Sequence, residues 1–178
     1  MNFVDENYLE VIKNINSELG ISIKQIMYKG YEVFNEEMNL ILYGLNQNGI
    51  EVYLESETLK SFNEMKTLAL SNSVNLQVQS GFRSVQKQSL LWKSKLSQGL
   101  RLKEIFYTLM PPGFSEHHTG TAIDFSYLNT SSVSSKFKNT IEFDWLIENA
   151  ESFGFSLSYD KNNTLGLSFE PWHWKYNR

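Results

Sequence analysis

The chain has 178 residues, 41% of them hydrophobic and 20% charged, with 16 Lys and Arg against 20 Asp and Glu for a formal net charge of −4. This length suits one domain with a real core, burying roughly 70% of the unfolded surface, and the composition argues against disorder. The absence of cysteine excludes disulfides, thiolate zinc sites and cysteine nucleophiles, while an acidic balance without a basic stripe speaks against a nucleic-acid partner.

Residues 5–19 predict an amphipathic helix, with Leu9, Ile12, Ile15 and Leu19 at spacings of three and four and Gly20 placed to end it. From 21 to 55 the signals mix: "NQNG" at 46–49 marks a turn and "IEVYLE" a strand after it. Ser56 reads as the N-cap of a helix to about Asn72 that buries Leu59, Phe62, Met65, Leu68 and Ala69. In "VNLQVQS", Val74, Leu76 and Val78 alternate with polar neighbours as in a half-buried strand. Ser84 then caps a helix to about Gln98, ended by Gly99, so Arg83 falls at a strand-to-helix junction. A shorter helix is expected over 101–109, and "PPG" at 111–113 interrupts regular structure.

"TAIDFSY" predicts a strand, the Ser/Asn-rich piece at 129–140 a surface loop, and 143–152 a helix with Trp145, Leu146 and Ala150 inward, ended by Gly154. "FSLSYD", the turn "KNNT" and "LGLSFE" predict a hairpin, and "WHWKY" closes the chain. The expected architecture is α+β: a single domain with helices packed on a mostly antiparallel sheet. No apolar run approaches the ~20 residues of a membrane-spanning helix, and "MNFVDENYLE" lacks the basic start and apolar middle of a secretion signal. The expected location is therefore cytoplasmic if this is the full chain, and cell envelope or secreted if a signal segment has been removed.

Two of the three histidines lie in "SEHHTGTAID" (115–124) and the third in "EPWHW" (170–174). A catalytic zinc ion takes three imidazole or carboxylate ligands and leaves a fourth position open. His117, Asp124 and His173 offer such a set, since a turn at Gly120 brings a strand-borne carboxylate back beside the first imidazole. On spacing alone a trio of this kind is more often structural. Pro171 between Glu170 and His173 rules out the helix that HExxH zinc proteases use, so the site is expected on strands and loops. Glu170 is the candidate base, taking the proton from a water whose pKa a metal lowers to about 7. Adjacent residues of an extended stretch point apart, which makes His118 a non-ligand at the rim. Trp172 and Trp174 either wall the site or pack under the sheet. Glu116, Glu142 and Asp144 read as cap or solvated charges.

The pattern S-x-H-x-x-G-x-A-x-D at Ser115, His117, Gly120, Ala122 and Asp124, the E-x-W-H at Glu170, Trp172 and His173, and "SGFRSVQKQ" upstream resemble three motifs of the VanY-type D-alanyl-D-alanine carboxypeptidases, of the LAS group of zinc metallopeptidases. The resemblance covers about residues 54–176. It implies the LAS-type fold shared by hedgehog domains and D-Ala-D-Ala peptidases, and Zn2+ held by His117, Asp124 and His173. It further implies Glu170 as general base and then acid, Arg83 as the group that meets the substrate's terminal carboxylate, and Gln88 and Ser115 as supporting contacts. Without the resemblance, Arg83 would read as a surface salt bridge. Phe82 stands where tyrosine is usual, which loses a hydroxyl but no ligand.

On this basis residues 1–50 are expected to be a helical extension packed on a zinc carboxypeptidase domain at 51–178. The implied activity is release of a terminal D-alanine from a peptidoglycan stem peptide or precursor. Alternatives are a peptidoglycan endopeptidase of the lysin type and a non-catalytic zinc-stabilised binding module of the hedgehog type. Glu170 speaks against the module and Arg83 against the endopeptidase.

Overall fold

A computed structural model describes residues 4–127, 130 and 132–177. Its elements are helices α1 (Glu6–Glu18), α2 (Ile23–Tyr28), α3 (Ser56–Ser71), α4 (Val85–Ser97), α5 (Leu102–Phe106) and α6 (Ile141–Asn149), with strands β1 (Leu40–Leu45), β2 (Glu51–Glu55), β3 (Gln77–Ser80), β4 (Ala122–Ser126), β5 (Phe155–Leu157) and β6 (His173–Tyr176). β1 and β2 form a two-stranded hairpin, and the other four make a sheet in the order β3-β4-β6-β5. Every pairing is antiparallel, so the fold is the expected α+β arrangement. Among the described residues no helix is long and apolar enough to cross a membrane.

β4 is buried along its whole length and its alternation divides the labour of the sheet. Ile123 and Phe125 join Val78, Phe62, Met65, Leu146 and Trp174 in one apolar core, which leaves Asp124 on the opposite face. A second core gathers Ile12, Leu19, Ile21 and Ile26 of the first 50 residues around Trp92, Ile105, Met110, Phe114 and Leu167. The N-terminal segment is thus packed behind the loop that leads to the histidines. It is also tied there by polar bonds: Asn16 Nδ2 donates to Pro112 O at 2.8 Å, and the amides of Phe34 and Glu37 donate to Gly113 O and His118 O at 2.9 Å each.

Gly113 shows how close that approach is. Its φ is +88°, and a Cβ there would lie 2.6 Å from Ile12 Cγ2. Gly113→Ala combines a left-handed backbone with overpacking, each costing 1 kcal/mol or more. We expect it to destabilise the fold by roughly 2–4 kcal/mol, read as a lower urea midpoint at unchanged slope.

Several elements differ from the expectation. The cap of α3 is Glu55, not Ser56: the buried Glu55 carboxylate accepts from Thr58 N and Thr58 Oγ1 at 2.9 Å each. Leu68, predicted inward, is 41% exposed, because α3 turns Thr58, Phe62, Met65 and Ala69 to the core. α2 was not anticipated, and α5 ends at Phe106, short of 109. Of the expected loop at 129–140, residues 129 and 131 lie outside the described set. The remainder contains a 3-10 turn at Ser135–Asn139 that drives Phe137 into the core.

The largest correction is the predicted hairpin. β5 pairs with β6, register Phe155↔Tyr176, while residues 158–171 leave the sheet as a long excursion. Its backbone bonds go elsewhere: Ser168 N donates to Tyr107 O at 2.8 Å and Glu170 N to Tyr159 O at 3.0 Å. The alternation of Leu165 and Leu167 reflects packing into the second core, not a ladder.

Candidate active site

Asp124 and His173 are direct cross-strand partners in the β4–β6 ladder, which accounts for two residues 49 apart meeting. His117 comes from a 3-10 turn, Glu116–Thr119, that closes on Gly120 with φ +69° and delivers the chain into β4. A Cβ at Gly120 would stand 3.0 Å from Glu55 N, so both its φ and its contact with the end of β2 call for glycine. The result is a buried cluster. His117 Nε2 lies 3.1 Å from Asp124 Oδ2, and His173 Nδ1 lies 2.9 Å from Asp124 Oδ1. One donor atom from each of the three residues falls within 4.8 Å of the others.

The ring nitrogens not facing Asp124 are also occupied. His117 Nδ1 is 2.7 Å from Gly81 O, where only an N–H can bond, so Nε2 is the nitrogen left to face a metal. His173 Nε2 is 2.8 Å from Glu116 Oε2, which leaves Nδ1 to the cluster. Once each cluster-facing nitrogen gives up its proton to a metal, the two outer bonds leave each imidazole in the tautomer that offers one ligand atom to a shared point, the arrangement that metal-binding histidines use. Two nitrogens and a carboxylate oxygen, buried and convergent, fit a divalent metal of the zinc type.

His118 is completely buried, not at the rim. Its Nε2 accepts from Gly113 N at 3.1 Å and its Nδ1 donates to Arg83 O, so neither nitrogen is left to ligate. The turn is 3-10 rather than extended, and adjacent side chains diverge for that reason. The amide of Arg83 in turn donates to His117 O at 3.0 Å. The guanidinium projects from the β3–α4 junction, with Nη2 3.6 Å from Asp124 Oδ2 and Nη1 donating to Gln88 Oε1 at 3.2 Å. Gln88 is buried and its amide N–H donates to Met110 O.

Arg83, Ser115, His117, Asp124, Glu170 and His173 all line one cavity of about 110 Å3. Leu109, Met110 and Leu167 add an apolar wall, and Tyr159 stacks on the His173 ring at 4.6 Å. The electrostatics divide the acids into two kinds. Asp124 is desolvated, but the His117 and His173 charges and hydrogen bonds outweigh burial and hold it well below the usual carboxylate range. Glu170 is 9% exposed; burial pushes its carboxyl up to about 7, with His173 and Arg83 pulling down and Asp124 and Glu116 pushing up. His173 is desolvated too, yet its bonds to Asp124 and Glu116 take it to about 10. Burial lowers the His117 imidazole, against the pull of Asp124.

Two residues in this network escaped the sequence reading. Glu116, expected as a cap or solvated charge, is instead only 12% exposed and pairs with His173 and Lys175. Tyr159 lay in the predicted hairpin, and no local signal pointed it at the site. Trp174 packs in the first core with Nε1 donating to Pro171 O at 3.0 Å, and Trp172 is partly buried against the same core.

The family model of D-alanyl-D-alanine carboxypeptidase, VanY, matches residues 51–178. The chain belongs to the VanY family. A D-alanyl-D-alanine carboxypeptidase of Enterococcus faecium is 33% identical over 137 residues, covering 75% of this chain and 40% of that protein. A bifunctional D-Ala-D-Ala dipeptidase and carboxypeptidase, VanXYC of Enterococcus gallinarum, is 31% identical over 132 residues, 71% of this chain and 68% of its own. Among solved structures, the LdcB LD-carboxypeptidase superposes with a TM-score of 0.71 at 26% identity, covering 79% of this chain and 69% of that one. The chain thus spans less than half the length of the E. faecium relative. All the cavity residues named above fall inside the span that matches VanY.

Proposed function

We propose that this VanY-family chain is a zinc-dependent carboxypeptidase that releases the C-terminal D-alanine of a peptidoglycan stem peptide or its precursor. One observation carries the reading: a single cavity holds a metal-competent His117–Asp124–His173 cluster, a buried carboxyl poised near neutrality at Glu170, and the guanidinium of Arg83, whose side chain is 14% exposed. His117 Nε2, Asp124 and His173 Nδ1 would hold the ion. Zn2+ bound there supplies Lewis acidity and lowers the pKa of water to about 7. Glu170 takes the proton from the attacking water and returns it to the amine of the departing D-alanine. Arg83 meets the free carboxylate, its planar fork matching two oxygens. Gln88, committed to Arg83 and to Met110 O, acts by holding that fork, and Ser115 lines the same cavity. Leu109, Met110 and Leu167 supply an apolar surface suited to a methyl side chain.

The relatives include both a D-alanyl-D-alanine carboxypeptidase and an LD-carboxypeptidase, so tetrapeptide and pentapeptide substrates are tested side by side. Mass spectrometry of the products should show loss of one D-alanine from at least one of them. Chelation should abolish the release and added Zn2+ restore it. Persistence of cleavage in the chelated protein, or of equal cleavage when the C-terminus is amidated, would remove the zinc carboxypeptidase reading.

A further inference from the structure

Resting on that reading of the site, we propose that Glu116 is a positioning residue for the metal cluster: held by Lys175, it fixes the ring of His173 so that Nδ1 faces the ion. Glu116 and His117 are neighbours on one 3-10 turn, so the element that presents one ligand also braces another. Glu116 Oε2 lies 2.8 Å from His173 Nε2, and the side chains are only 12% and 3% exposed. The other oxygen, Oε1, lies 3.3 Å from Lys175 Nζ, two residues along β6 from His173. That ammonium sits 5.1 Å from the centre of the Phe34 ring, and Phe34 N is bonded to Gly113 O. The brace therefore runs from the N-terminal segment to the ligand.

The physical case is rotational. An imidazole that ligates through Nδ1 must keep its proton on Nε2, and its ring must not turn about the Cβ–Cγ bond. A carboxylate at Nε2 enforces both and strengthens the lone pair at Nδ1. Tyr159 stacked on the ring restricts sliding but offers no acceptor to Nε2. Removal of such an outer partner typically costs 10–100-fold in metal affinity.

Zn2+ affinity of the full chain, measured by competition with a chromophoric chelator, tests this directly. We expect Glu116→Ala to bind Zn2+ about 10–100-fold more weakly and Glu116→Gln, which keeps an acceptor oxygen without the charge, to fall between it and wild type. Lys175→Met should follow in the same direction with a smaller effect. The Co2+-substituted Glu116→Ala protein should show a shifted d–d spectrum. Circular dichroism and melting of the metal-free variants separate this from a purely structural pair, which would lower stability and leave affinity alone. If Glu116→Ala does not fold, Glu116→Gln carries the comparison. Wild-type Zn2+ affinity in the folded variants would overturn the inference while leaving the carboxypeptidase reading intact. A wild-type chain that does not bind Zn2+ would overturn both.

Discussion

Glu170→Gln is expected to lower kcat by about 10²–10⁴ while Zn2+ affinity changes little. Glu170 makes no ion pair with the cluster, and its part is to move a proton, which an amide cannot do. Its carboxyl, pushed up to about 7 by burial, has the strength an efficient base needs at neutral pH. The same shift has a stability cost whose sign is fixed. Because the folded pKa lies above the unfolded one, the native state binds the extra proton between about pH 4.5 and 7. Stability therefore falls as pH rises through that window, and the loss is complete above it. In metal-free protein, Glu170→Gln should be more stable than wild type at pH 8 by roughly 1–3 kcal/mol, and the difference should vanish towards pH 4.5. Steady-state kinetics and paired melts of chelated proteins read the two effects separately. Wild-type kcat with zinc bound would place the base elsewhere.

The ligand candidates were legible because few residue types can serve. With no cysteine and three histidines, His117, Asp124 and His173 could be named from motif order, and the strand character of "AIDFS" placed the carboxylate on a face. Register added what the sequence did not carry: the Asp124↔His173 pairing joins residues separated by α6, β5, two 3-10 turns and a long excursion. Periodicity misled where a face is covered by something distant in sequence. Leu165 and Leu167 alternate like a strand because the second core lies beneath them, and Leu68 has the right helical phase but stands exposed. Glu116 was invisible for a related reason. A charged residue beside a histidine is ordinarily solvated, and only the return of β6, with Lys175 two residues past His173, encloses it. Ser56 and Glu55 differ by one position, within the blur of any boundary, yet the buried Glu55 carboxylate also occupies both the amide and the hydroxyl of Thr58.

Arg83→Ala should reduce kcat/KM on a free-carboxylate peptide by about 10²–10³, the usual loss when one partner of a buried charge pair is removed. Most of it should appear in KM, because the terminal carboxylate keeps its charge from ground state to transition state and is held equally in both. Arg83→Lys should recover only part of the loss, since an ammonium lacks the second N–H arm that meets a carboxylate side-on and cannot keep the Gln88 bond while doing so. The metal provides an internal control. Arg83 Nη2 stands 3.6 Å from Asp124, so its positive charge opposes a cation bound there, and its removal should leave Zn2+ affinity equal or higher. A fall in activity with undiminished zinc binding then assigns Arg83 to the substrate. The amidated peptide completes the argument: wild type should discriminate against it and Arg83→Ala should not. Equal cleavage of both peptides by wild type would instead make the guanidinium a structural partner of Asp124, and the site one that cuts internal bonds.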